Sequence, residues 1–169
     1  NTRLVSKDKT ITADKLEYDA NTKLAKAFDN VVLTDPTSRI TADYMEYNKD
    51  TEIAVGIGKV EVKTPTKQIS ADKMIYERST GNIIVNDTYR TIGSDGTLVE
   101  GKNVVYNVKT KSADFGSEVF ITNKDYTIYS RKMTTNDLTG LTTFRDYSKI
   151  TRRNDPSQYI ITSDGDFNK

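Results

Sequence analysis

An eight-residue phrase recurs at a fixed interval, and that recurrence limits what the chain can fold into more than any other feature. "ITADKLEY" from Ile11 returns as "ITADYMEY" from Ile40 and as "ISADKMIY" from Ile69, each 29 residues after the last. Weaker copies begin near Val99 and Ile128. A last one near Ile161 follows a longer interval, in which Arg152-Arg153-Asn154-Asp155-Pro156 reads as an inserted turn. Self-similarity at this period marks small supersecondary units that cannot bury an apolar face alone and must stack to do so.

Within each phrase the first and third places (Ile11, Ala13) and the sixth and eighth (Leu16, Tyr18) are apolar or small. Alternation with period two predicts a β-strand, and the change of parity between Asp14 and Lys15 predicts one extra residue, a bulge, or a sharp bend at that point. Polar turns follow each closing tyrosine, at Asp19-Ala20-Asn21-Thr22, Asn48-Lys49-Asp50-Thr51 and Glu77-Arg78-Ser79-Thr80-Gly81. A second strand comes next. Its columns Ala25/Ala54/Ile83/Ala113, Ala27/Gly56/Val85/Phe115, Val31/Val60/Tyr89/Val119 and Leu33/Val62/Thr91/Ile121 share one face, while Lys26, Lys59, Glu61, Lys63 and Arg90 occupy the other. The expected fold is all-β: two-stranded repeats of about 29 residues stacked so that two sheets face each other across an apolar interior, as in a jellyroll or β-sandwich. Residues 1–169 are expected to form one such unit.

Composition narrows the chemistry. Cys and His are both absent, which removes disulfides, the usual zinc sites, thiol nucleophiles and histidine-based triads. Lys and Arg number 25 against 24 Asp and Glu, so no basic surface argues for nucleic acid. Mean hydropathy is −0.64 and 35% of residues are apolar, the profile of a thin core that a ligand could complete. No apolar run approaches the ~20 residues of a membrane-spanning helix. The chain opens at Asn1 without a signal-like leader, and so reads as mature or trimmed.

The I-[TS]-A-D-x-hydrophobic-x-Y strand, its turn, and a second strand ending in units such as Asp29-Asn30-Val31-Val32-Leu33 and Gly58-Lys59-Val60-Glu61-Val62 resemble the OstA-like domains of the lipopolysaccharide-transport family. That family includes LptA, the N-terminal part of LptD and, more distantly, LptC. Asp87-Thr88-Tyr89 and Ser117-Glu118-Val119 depart from the family's Gly-Asn-Val unit. The resemblance implies an open, twisted β-jellyroll that works without catalysis or cofactor in the periplasm, its signal or anchor lying outside this sequence. It would hold acyl chains of lipopolysaccharide in an apolar groove. The implied partners are that lipid, other transport proteins joined by edge-strand pairing, and head-to-tail copies of the chain itself. The lipid-contacting residues implied are the inward positions of the first repeats: Ile11, Ala13, Leu16, Tyr18, Val31, Leu33, Ile40, Ala42, Met45, Tyr47, Val60, Val62, Ile69, Ala71, Met74 and Tyr76. A periplasmic domain of LptD and a structural or adhesive β-solenoid binding protein or glycan stand as alternatives.

Several residue patterns carry two readings. The small column Ala13, Ala42, Ala71, Gly101, Ser130 either keeps a groove open or lets a crossing strand pack closely; the resemblance favours the groove. The ladder Tyr18, Tyr47, Tyr76, Tyr106 is expected to stack as half-buried rings with hydroxyls at a rim, and secondarily to touch lipid. Asp14, Asp43 and Asp72 are expected to stabilise bends by local hydrogen bonds, because identical repeats give carboxylates identical environments and no acid/base division of labour. A glycan-active enzyme would need two carboxylates in unlike settings. Thr10-Ile11-Thr12 and Tyr159-Ile160-Ile161 are the expected sheet edges, open to β-augmentation. Residues 163–169 are expected to be a disordered tail.

Overall fold

The computed structural model describes residues 2–6 and 9–168. Its seventeen strands are β1 Thr2–Ser6, β2 Lys9–Ala13, β3 Lys15–Asp19, β4 Leu24–Thr34, β5 Arg39–Asn48, β6 Ile53–Lys63, β7 Lys67–Glu77, β8 Asn82–Gly93, β9 Leu98–Asn107, β10 Ser112–Phe115, β11 Val119–Thr122, β12 Tyr126–Ser130, β13 Met133–Asn136, β14 Leu141–Phe144, β15 Ser148–Arg152, β16 Tyr159–Thr162 and β17 Gly165–Asn168. Among the described residues there is no helix, and hence none long and apolar enough to cross a membrane.

All strands belong to one antiparallel, hydrogen-bonded sheet folded along a corner into two faces. The upper face runs β1, β2, β4 to β9, β11, β12, β15, β16. The lower face runs β3, β4 to β9, β10, β13, β14, β17. Strands β4 to β9 cross the corner and take part in both. This is the expected all-β, open jellyroll.

The corner explains the parity of the repeated phrase. Phe28 pairs with Tyr44 and Val31 with Ala42, so Asp29 and Asn30 together oppose Asp43 alone. Gly58 and Lys59 oppose Asp43 on one side and Asp72 on the other in the same way. The extra residue therefore lies on the second strand of each repeat, whereas the phrase itself turns through a bend at Asp14. A one-residue bend reverses the alternation, bringing Ala13 and Leu16 to one face; a two-residue bulge preserves it for Ala27 and Val31. The bulge needs left-handed backbone, seen at Asp29 (φ 57°), Asn30 (51°), Gly58 (77°) and Lys59 (48°). A Cβ on Gly58 would meet Asp43 Oδ2 at 2.6 Å, which is why glycine stands there.

Three expectations are corrected. Thr10, Ile11 and Thr12 are not an edge, because β1 folds back onto β2 and β4 covers the other side. Gly165–Asn168 is not a loose tail: it pairs with Leu141–Phe144, and Phe167 packs against the core with its ring edge-on to Tyr126. The tyrosine ladder is not a stack. Ala25, Ala54 and Ile83 intervene between Tyr18, Tyr47, Tyr76 and Tyr106 in the pairing register, leaving successive rings two strands, about 10 Å, apart. The inserted segment after Arg152 is a loop, as expected, in which Asp155 accepts hydrogen bonds from Ser157 and Gln158. At the far side, β16 pairs with β15 alone among the described residues and exposes Tyr159, Ile160 and Ile161, as an open edge does.

Candidate functional site

Period-two alternation on both faces, kept in phase by the corner, sends one set of apolar side chains inward along the whole stack. Twelve of the sixteen residues expected to contact a lipid lie in this interior: Ala13 and Val31 with Ile11, Leu16 and Met45 at the start of the stack, then Ala42, Val60, Val62, Ile69 and Met74 with Ile40 and Ala71. Leu33 continues the row between Ile11 and Ile40, only partly buried. Tyr18, Tyr47 and Tyr76 stand further out, at the lip of the lower face beside the turns.

Burial divides these residues. Ala13 is 0% and Val31 1% exposed, so their surfaces are spent on neighbouring side chains. They sit next to the corner, where the faces converge. In register order the corner row reads Ala42, Val60, Ala71, Tyr89, Gly101, Val119, Ser130, Ser148, small beside large in its first six places. A Cβ on Gly101 would lie 2.7 Å from the Glu118 carbonyl oxygen and 3.0 Å from the Tyr89 hydroxyl. The small column is therefore a close-packing device at the corner. Farther out, Ile11, Leu16, Leu33, Ile40 and Met45 remain half-buried, and Tyr18 is 58% exposed. These side chains keep apolar surface uncovered between the two lips.

The later half of the interior is filled. Phe115, Val119, Ile128, Met133, Phe144 and Ile150 form one buried cluster with the middle repeats. Tyr89 from the upper face stacks on Phe115 from the lower, ring centroids 6.2 Å apart and 27° between planes, and closes off the space between them. The Tyr89 hydroxyl is buried without a hydrogen-bond partner among the described residues, and burial pushes its phenol well above the ordinary tyrosine range. Ser130 and Ser148, both fully buried, share a 2.7 Å hydrogen bond, and Ser148 also donates to the Asp146 carbonyl. The lipid-contacting residues expected from the sequence end at Tyr76, short of this filled section. Its signal was present in the columns: Tyr89 replaces the valine of Val31 and Val60, and Gly101 replaces the alanine opposite it.

The repeated carboxylates stay outside. Asp14, Asp43 and Asp72 are exposed on the corner, and Asp14 accepts a 2.7 Å hydrogen bond from Asn30 Nδ2, across to the neighbouring strand's side chain instead of to the local backbone. Among the described residues no group of acidic side chains could hold a metal ion.

One β-sheet folded at a corner into two facing halves, with an apolar interior partly uncovered in its first repeats, defines an open β-jellyroll. A family model described as "LptA/(LptD N-terminal domain) LPS transport protein" matches residues 10–112 and again 39–156. The chain belongs to this family, whose members are transport modules and not enzymes. The two matches begin one 29-residue repeat apart, at 10 and 39, which is what a family defined by this repeat produces. The fold is similar to that of LptH, described as the LptA-homologous periplasmic component of the lipopolysaccharide transport device of Pseudomonas aeruginosa: TM-score 0.57, 18% identity, over 62% of this chain and 79% of that one. At that identity the likeness concerns the fold. A second match, to the TCP10 domain of Danio rerio CPAP in its E1021V mutant, has 14% identity over 98% of this chain and 99% of that one, but a TM-score of 0.14, and carries no argument. No match is found among curated protein sequences.

Proposed function

We propose that this chain is a periplasmic lipopolysaccharide carrier that holds acyl chains between the lips of its two faces and passes them along the stack. The observation that carries this reading is the half-buried apolar row Ile11, Leu16, Leu33, Ile40 and Met45, framed by Tyr18, Tyr47 and Tyr76 at the lower lip. Ala13, Val31, Ala42 and Val60 form the closed floor beneath. Ala71, Met74, Val62 and Ile69 continue that floor towards the filled section. Each methylene moved from water onto such a surface is worth about 0.8 kcal/mol, so even a few carbons per acyl chain give binding without any polar anchor. The lipid's polar head stays outside in water, and upstream supply drives movement.

Edge pairing extends the conduit. Strand β16, with Tyr159, Ile160 and Ile161 exposed, offers unpaired backbone groups to a strand of a neighbouring transport protein or of a second copy.

The test is native mass spectrometry with added lipopolysaccharide, followed by photo-crosslinking from position 16 and, as a control, from the outward Lys26. Adducts from position 16 and none from position 26 are expected. Equal labelling of both, or intact protein that takes up no lipid, would overturn the reading.

A further inference from the structure

The two lips of the jellyroll meet in a polar contact that the carrier reading does not use. Lys67 begins β7 on the upper lip, where it pairs with Gly93. Asp137 lies in the turn after β13 on the lower lip, its amide bonded to the Lys111 carbonyl. Seventy residues apart in sequence, the Lys67 ammonium and the Asp137 carboxylate form a direct ion pair across the mouth. Tyr106, on the inner row of the lower face, lies beneath them. The Lys67 ammonium is 4.9 Å from its ring centroid, and its hydroxyl reaches Asp137 at 3.4 Å. Burial and the Asp137 charge push the Tyr106 phenol up to about 12.

This contact coincides with the boundary between the two sections of the interior. On the side of the first repeats the inward apolar groups are half uncovered; on the other side Phe115, Met133 and Phe144 are sealed. Just inside the boundary, Tyr89 and Phe115 bridge the faces. We propose that Lys67, Asp137 and Tyr106 form a latch that holds the mouth shut at this level and gates the passage of acyl chains from the open section into the closed one. The proposal rests on the carrier reading for its ligand, but the latch itself is a property of the protein alone.

The chemistry suits a latch more than a permanent staple. A part-exposed ion pair with one cation–π contact biases the lips towards contact by only on the order of tenfold, so the latch opens thermally. A charged clasp above an apolar slot is screened by salt. Parting the lips lets each charge regain water, while the uncovered apolar faces are left for a lipid to cover. Lys67, unlike the scattered outer lysines, is thus placed to feel the passing load.

The chain contains no cysteine, so labels can be placed cleanly. Spin labels at Thr66→Cys and Leu138→Cys report the lip separation beside the latch; labels at Asn21→Cys and Thr37→Cys report it among the first repeats. Asp137→Asn is expected to lengthen and broaden the first distance distribution and leave the second unchanged. The charge exchange Lys67→Asp with Asp137→Lys is expected to restore it. In parallel, Tyr47 and Tyr126 are each replaced by p-azidophenylalanine, nearly isosteric, and irradiated with lipopolysaccharide. Labelling at 47 is expected in every variant, and labelling at 126 to rise about tenfold in Asp137→Asn. Unchanged distances in Asp137→Asn overturn the latch. Altered distances with equal labelling at 126 overturn its role as a gate. No labelling at either position rejects the carrier reading instead, with the distances still deciding the latch.

Discussion

Replacing Tyr89 by Phe should make this protein more stable, although it removes a polar group from a well-packed position. Tyr89 is 5% exposed, and its hydroxyl has no hydrogen-bond partner among the described residues. Burying such a group unpaired costs about 1–3 kcal/mol. Deleting it leaves a gap of one oxygen, on the order of 10–15 Å³, which at about 24 cal/mol per Å³ costs roughly 0.3 kcal/mol. The ring itself stays, so its contact with Phe115 at 6.2 Å is kept. The expected net gain is about 1–2 kcal/mol, or roughly 3–6 °C in Tm for a chain of this size. Urea titration and calorimetry at pH 8 measure both. Repeating the titration towards pH 11 adds a second readout. Burial raises the folded phenol above its ordinary value of 10, so its contribution to stability is whole below pH 10 and is lost as pH rises towards the folded value. The variant lacks that loss, and its advantage should therefore widen in alkali. A Tyr89→Phe protein destabilised by 1 kcal/mol or more would mean that the hydroxyl has a partner in solution and would refute the reasoning.

Phe144→Ala should lose about 3–5 kcal/mol by urea denaturation, since the ring is 1% exposed in the filled section and its removal leaves a large cavity. Gly101→Ala should cost about 1–3 kcal/mol, because the new Cβ would lie 2.7 Å from the Glu118 carbonyl oxygen; an unchanged midpoint would show that the corner can widen there. Asp35 should titrate below its ordinary 3.8 in a carbon-detected NMR series: burial alone would raise it, but hydrogen bonds from Thr37 and Ser38 outweigh that. Its contribution to stability is present above the unfolded value and lost as pH falls through the folded one. A pKa at or above the ordinary value would show that the turn is open in solution.

The interior row was legible because each repeat states it again. Ile11 and Ile40 share the first place, and Leu16 and Met45 the sixth, of a phrase repeated at 29 residues, and a strand's side chains alternate whatever it packs against. Even the corner showed, as a parity change after Asp14. What the pattern could not say was which strand holds the extra residue. That depends on the backbone at Asp29-Asn30 and Gly58-Lys59, and Lys59 carries no sign of its positive φ. Strand β1 has no copy of the phrase, and Gly165–Asn168 is rich in polar residues; both became strands because a neighbouring edge offered unpaired backbone groups.

The exposure of each inward residue was decided only in three dimensions. Ala13 and Leu16 both stand at inward places of the repeat, yet one is sealed at the corner and the other half open, since the distance between two faces grows away from the line that joins them. The pairing of Lys67 with Asp137 lies still further from the chain's own signals. Periodicity orders neighbours along strands and across them, and so the fold, the inward row and the family can be read from the chain alone. Contacts across the mouth depend on the twist accumulated over many strands, which no single repeat encodes, and so where the interior is open and where it is shut emerges with the folded sheet.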